Sequence, residues 1–194
     1  MIEGTNYVLE TMNRFSILLG LFALSSTTIA QDISMISYHD NALKWQNYKT
    51  SSKPSGYQKA FTYCGITYSV KSDAAGINVE FNAYVDANES WVLKGAATSQ
   101  LLRHEQGLFD ITELYARKMK KATHQYIKQQ GANLNYESLL LAVREIYKEL
   151  NNELFAEQQQ YNVQTVNGGS IQAQIDWENK IKAELNKLSD FASK

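Results

Sequence analysis

The hydrophobic period of this chain changes once, at about Trp91, and that change dictates strands first and helices afterwards. Upstream, Ile77-Asn78-Val79-Glu80-Phe81-Asn82-Ala83-Tyr84-Val85 is apolar at every odd position and mostly polar at the even ones, the pattern of a half-buried strand. Phe61 and Tyr63 alternate in one register and Ile66, Tyr68 and Val70 in the opposite one, with Gly65 at the switch, which predicts a bulge. Leu43-Lys44-Trp45-Gln46 predicts a further short strand, Thr50 to Gly56 a loop with the only proline, Pro54, and Lys71 to Gly76 a hairpin connection.

Downstream, no proline interrupts Thr98 to Gln130, and Gly131 is a good helix stop. Leu101, Leu108, Ile111, Tyr115 and Met119 form its inward stripe. A second helix is predicted from Tyr136 to Gln160, capped by Asn135, with Leu139, Val143, Ile146, Leu150 and Leu154 inward. A loop from Tyr161 to Gly169 ends in the turn signal Asn167-Gly168-Gly169. Ser170 then caps a third helix carrying Ile171, Ile175, Ile181, Leu185 and Leu188. The fold class is therefore α+β: a small, antiparallel-leaning sheet followed by three long helices.

The N-terminus reads as a targeting segment. Met12-Asn13-Arg14 is a short basic n-region, Phe15 to Leu24 is almost wholly apolar, and Thr28 and Ala30 stand where a signal peptidase reads, giving cleavage before Gln31. A spanning helix needs about 20 apolar residues, roughly twice this run. Glu3 and Glu10 do not suit a leader, which places the translation start at Met12. The expected organisation is an extension and signal peptide over residues 1–30 and a single domain over 31–194, exported to the periplasm or the extracellular space of a bacterium.

Losing residues 1–30 removes one of 19 basic and two of 20 acidic residues, leaving 18 of each. That balance excludes the basic face that nucleic acid or an anionic membrane surface demands. The single cysteine, Cys64, excludes an intrachain disulfide, and its strand-like setting favours a buried, inert thiol.

Within the first long helix lies His104-Glu105-Gln106-Gly107-Leu108-Phe109. A metalloprotease places two histidines at i and i+4, because about 100° per residue returns them to one face, and the glutamate after the first takes a proton from metal-bound water. Here Leu108 occupies the i+4 place and offers no lone pair, whereas catalytic zinc keeps three protein ligands. Asp110 and Glu113 lie about 120° and 180° around the helix from His104 and cannot replace it. His124 is about 30 Å along the same helix, and His39 lies just after the expected cleavage point. His104 is then either a satisfied core histidine on an apolar face or a metal ligand whose partners come from other segments. In the first case Glu105 pairs locally with a Lys or Arg of a neighbouring turn.

Ser90-Trp91-Val92, Leu101 to Gln106 and Phe109 to Arg117 resemble an uncharacterised bacterial family of predicted secreted zinc-dependent proteases, and Leu43-Lys44-Trp45 resembles that family's opening pattern more loosely. The likeness covers the chain from residue 31 onwards and implies a zincin-like fold. The family reads His-Glu-x-x-His-Phe, so Leu108 departs at a ligand position. It also carries a Tyr-Asp-x-x-Thr-x-His-Gly segment, whose histidine is the implied third ligand. Tyr161, Thr165 and Gly168 match that segment here, while Asn162 and Asn167 depart.

The resemblance thus implies a degenerate site: His104 as a remnant ligand, Leu108 and Asn167 as lost ligand positions, and Glu105 as general base only if the enzyme is active. The leading expectation is a non-catalytic protein that needs no cofactor and binds a peptide or protein ligand in its cleft. The alternative is an active zinc-dependent metallopeptidase with replacement ligands. Neither reading involves nucleic acid or, after signal cleavage, a membrane span.

Overall fold

The computed structural model describes residues 35–38, 42–52, 58–73 and 76–192. The expected leader over 1–30, His39 and Pro54 lie outside them.

The architecture is α+β, with two three-stranded sheets rather than one, followed by three helices. The first sheet joins β1 (Met35–Ser37), β5 (Gly76–Asp86) and β4 (Cys64–Asp73) in the order β1-β5-β4, all antiparallel. The second joins β2 (Lys49–Ser51), β6 (Trp91–Leu93) and β3 (Ala60–Phe61) in the order β2-β6-β3. It is mixed: β2 runs parallel to β6 and β3 antiparallel.

The alternation in β5 acts as its pattern requires, since Phe81, Ala83 and Val85 are buried together with Ile66, Tyr68 and Val70 of β4. Gly65 marks no bulge. The β4–β5 register runs one to one from Cys64↔Val85 to Asp73↔Gly76. The phase shift arises because the chain leaves one sheet for the other across Thr62 and Tyr63, so Phe61 and Tyr63 stay on the surface. Gly65 instead admits the Tyr84 ring, whose hydroxyl would lie 3.0 Å from an added Cβ. The strand expected at Leu43 to Gln46 is also replaced, by a 3₁₀ turn over Trp45–Asn47. There the Asn47 side chain accepts the Lys44 N–H at 2.8 Å, a local bond that competes with strand pairing.

Helix α1 (Ser99–Gln130) begins at Thr98, whose hydroxyl accepts the Leu101 N–H, and ends at Gly131 with φ +51°. All residues from Ile111 to Ala116 are buried, more than a full turn, so the middle of α1 is enclosed on every side and not along one stripe. Its neighbours are α2, α3 and the β4–β5 hairpin. Helix α2 (Tyr136–Gln164) starts at Asn135 with a reciprocal cap to Ser138 and runs four residues past its expected end. That last turn is held by Tyr161, which is wholly buried against α1. Helix α3 (Ile171–Lys187) starts at Ser170 as expected, and of its expected apolar residues Ile181, Leu185 and Leu188 are buried or partly buried. Ile171 and Ile175 are exposed, while Gln174, Trp177 and Ile181 face inward. Among the described residues no helix is long and apolar enough to cross a membrane.

Candidate functional site

The N-cap at Thr98 sets the phase of α1, so that His104 and Glu105 in its second turn point inward. Both line a cleft of about 160 Å³ between α1, the end of α2 and the segment Gln58 to Thr62 that includes β3. Leu108 lines the same cleft, half-buried, and so does Asn167, reached from the turn after α2. The four positions singled out in the sequence therefore share one cavity. Asp110 and Glu113 lie elsewhere on α1: Asp110 accepts from Tyr38 (3.0 Å) and Gln106 (2.7 Å), and Glu113 pairs with Arg117 at 2.8 Å.

His104 is held by Tyr161 and Thr165 at the end of α2 and by Gln174 of α3. Tyr161 stacks flat on its imidazole, with ring centroids 4.7 Å apart and planes 5° from parallel. The Tyr161 hydroxyl donates to the His104 carbonyl oxygen at 3.0 Å and accepts from Gln174 Nε2 at 2.7 Å. Thr165 Oγ1 donates to the Tyr161 carbonyl at 2.6 Å, so towards His104 Nδ1, 3.2 Å away, it can only accept. Gln174 Oε1 faces the same nitrogen at 3.4 Å. Two acceptors at Nδ1 assign the proton there and leave the lone pair on Nε2, the tautomer in which a histidine ligates a metal. Burial lowers the imidazole pKa, keeping the ring neutral.

The turn carrying Asn167 bends sharply. Val166 and Asn167 have φ of +54° and +49°, and Gly168 follows at +80°. A Cβ at Gly168 would sit 2.8 Å from His104 Cβ, so a glycine is required both for the backbone and for the close approach. Gln100 secures the turn by donating to the Gly168 carbonyl at 2.7 Å.

Among the described residues Glu105 forms no ion pair with a Lys or Arg. Its carboxylate accepts from Thr62 Oγ1 at 2.5 Å and from the Thr62 N–H, and the Tyr48 hydroxyl sits 2.7 Å behind Thr62. Burial raises the Glu105 pKa to about 7, and the two bonds from Thr62 pull it part of the way back. The reason is distance in sequence: Thr62 is 43 residues away and arrives only through the strand arrangement. Cys64 also borders the cleft. Its thiol accepts from Gln158 Nε2 at 3.3 Å and burial raises its pKa, which fits an inert thiol. His124 is exposed on α1, beside Phe191.

Sequence reasoning missed Thr62, Tyr48, Gln158, Gln174 and Gly107. Only Gly107 left a local signal, an isolated glycine inside a helical pattern. An added Cβ there would lie 2.6 Å from Tyr161 Cζ.

Zinc, which the resemblance implies, does not fit this donor set. The cleft presents one imidazole, a leucine and a carboxamide where three ligands are needed, and among the described residues no three His, Cys, Asp or Glu side chains group to hold a metal. No protein-family model, curated protein or solved structure matches the chain.

Proposed function

We propose that this is an exported, zincin-like member of the secreted-protease family that no longer cleaves and instead binds an extended peptide. One observation carries the reading: His104, Leu108 and Asn167, the three positions where the family pattern places ligands, line a single cleft, and only one of them is a histidine. The Nδ1–H bonded state of His104 supports it, because that is the orientation a ligand histidine needs. Peptide binding follows from β3, an edge strand of its sheet that forms one wall of the cleft. An edge strand offers backbone groups to an added strand, and that capacity does not depend on a metal.

Metal analysis tests the reading. Purified protein is expected to hold well under one zinc per chain, and the double variant Leu108→His, Asn167→His close to one. Stoichiometric, chelator-removable zinc in the native protein would overturn it.

A further inference from the structure

The turn between α2 and α3 adopts a backbone that its own sequence does not favour. Thr165 caps α2, the Val166 N–H donates back to the Val163 carbonyl at 3.2 Å, and the Asn167 N–H donates to the Asn162 carbonyl at 2.8 Å. That pair of bonds is the Schellman arrangement, in which the first residue past the cap is left-handed and commonly glycine. Here it is Val166, at φ +54°. A β-branched residue is among the least suited to that conformation, because its Cβ crowds the backbone. Packing does not offset the strain, since Val166 is 65% exposed.

The same turn is lightly attached. From Val166 to Ala173 only Gly168 is buried, and it lies against His104, where an added Cβ would be 2.8 Å from His104 Cβ and 3.7 Å from Cδ2. Gln100 ties it to α1 by donating its amide to the Gly168 carbonyl at 2.7 Å. On either side stand fixed points, Thr165 and Gln174, both buried and both facing His104 Nδ1. A strained segment with few buried contacts, anchored firmly at both ends, opens locally before the helices do. Moving Val166 into extended backbone frees the two cap bonds at positions that water already reaches. It also withdraws Gly168 from the imidazole and Asn167 from the cleft it lines.

We infer that residues 166–169 form a gate on the His104 side of the cleft, loaded by the left-handed Val166 and latched by Gln100. Shut, the gate covers the Cβ–Cδ2 edge of the imidazole and holds the cleft at about 160 Å³. Open, it uncovers the edge that leads to Nε2, the nitrogen carrying the lone pair, and enlarges the cleft beside it. The gate does not depend on whether the ligand is a peptide.

Amide hydrogen exchange of the protein, read residue by residue and corrected for intrinsic rates, tests this. The amides of Asn167 and Ser170 are expected to exchange about 100-fold faster than that of Val143 in the middle of α2. Val166→Gly removes the strain and should slow both about fivefold, whereas Gln100→Ala removes the latch and should speed both about fivefold. Carbethoxylation of His104 by diethyl pyrocarbonate, located by peptide mapping, should follow the same order, fastest in Gln100→Ala and slowest in Val166→Gly. Exchange at Asn167 and Ser170 as slow as at Val143, or unaltered by Val166→Gly, overturns the inference. So does a His104 reactivity that stays constant while the exchange of the turn changes. Should Gln100→Ala fail to fold, Val166→Gly against the native protein decides by itself.

Discussion

Tyr161 lies flat on the imidazole of His104 and bonds through its hydroxyl to the His104 backbone carbonyl, so one side chain of α2 fixes both the ring and the helix that carries it. The two residues are 57 positions apart. The stack is possible because Gly107, one turn further along α1, leaves the space that the phenol fills.

Replacing Gly107 by Ala sets two effects of opposite sign against each other. Helix propensity alone would stabilise the protein by about 1 kcal/mol. The new Cβ, however, would collide with the Tyr161 phenol, and overpacking of that kind costs about 1–3 kcal/mol. Loss of the Tyr161 contacts adds to the cost, so a net destabilisation of about 1–3 kcal/mol is expected in urea unfolding. A gain in stability would mean that Tyr161 does not occupy this position. Tyr161→Phe should couple to the substitution, since the phenol oxygen is among the atoms that clash.

The acidity of Glu105 makes a pH signature. Its pKa is raised from 4.5 to about 7 in the folded protein, so the folded state binds the proton more tightly than the unfolded chain. The stability contributed is then fully present below pH 4.5 and is lost as pH rises through 7. Glu105→Gln is neutral throughout. From pH 5 to pH 8 its stability should improve relative to the native protein by roughly 2–3 kcal/mol. Unfolding curves of both proteins at the two pH values check this, and a constant difference between them would contradict it.

On the far side of α1, Glu113 is completely buried and pairs with Arg117, whose guanidinium also donates to the Leu185 carbonyl at 2.9 Å. Removing one partner of a buried pair strands the other. Arg117→Met is expected to cost about 3–5 kcal/mol, and Glu113→Gln in the same chain to recover part of it. Chemical denaturation of the single and double variants measures both, and a loss below about 1 kcal/mol would show that solvent reaches Glu113.

By itself the sequence determined the elements that rest on local chemistry. The alternation from Ile77 to Val85, the caps at Asn135 and Ser170, and the stop at Gly131 act between residues a few positions apart, so their pattern is complete within a short window. The strand-then-helix order likewise set the α+β class.

Tertiary structure alone decided the rest. The first two apolar positions expected on α3, Ile171 and Ile175, lie outside because Gln174 is drawn inward by Tyr161 and His104, whereas Ile181, Leu185 and Leu188 pack inward. The last turn of α2 formed because burial of Tyr161 outweighs the turn signals that follow it. Most of all, the surroundings of His104 and Glu105 come from Thr62, Tyr161, Thr165 and Gln174, which lie 43 to 70 residues away in the chain. Hydrogen bonds over such separations leave no periodic trace in a sequence. They exist because His104 and Glu105 are buried, where each polar group must find a partner from whichever element packs against it.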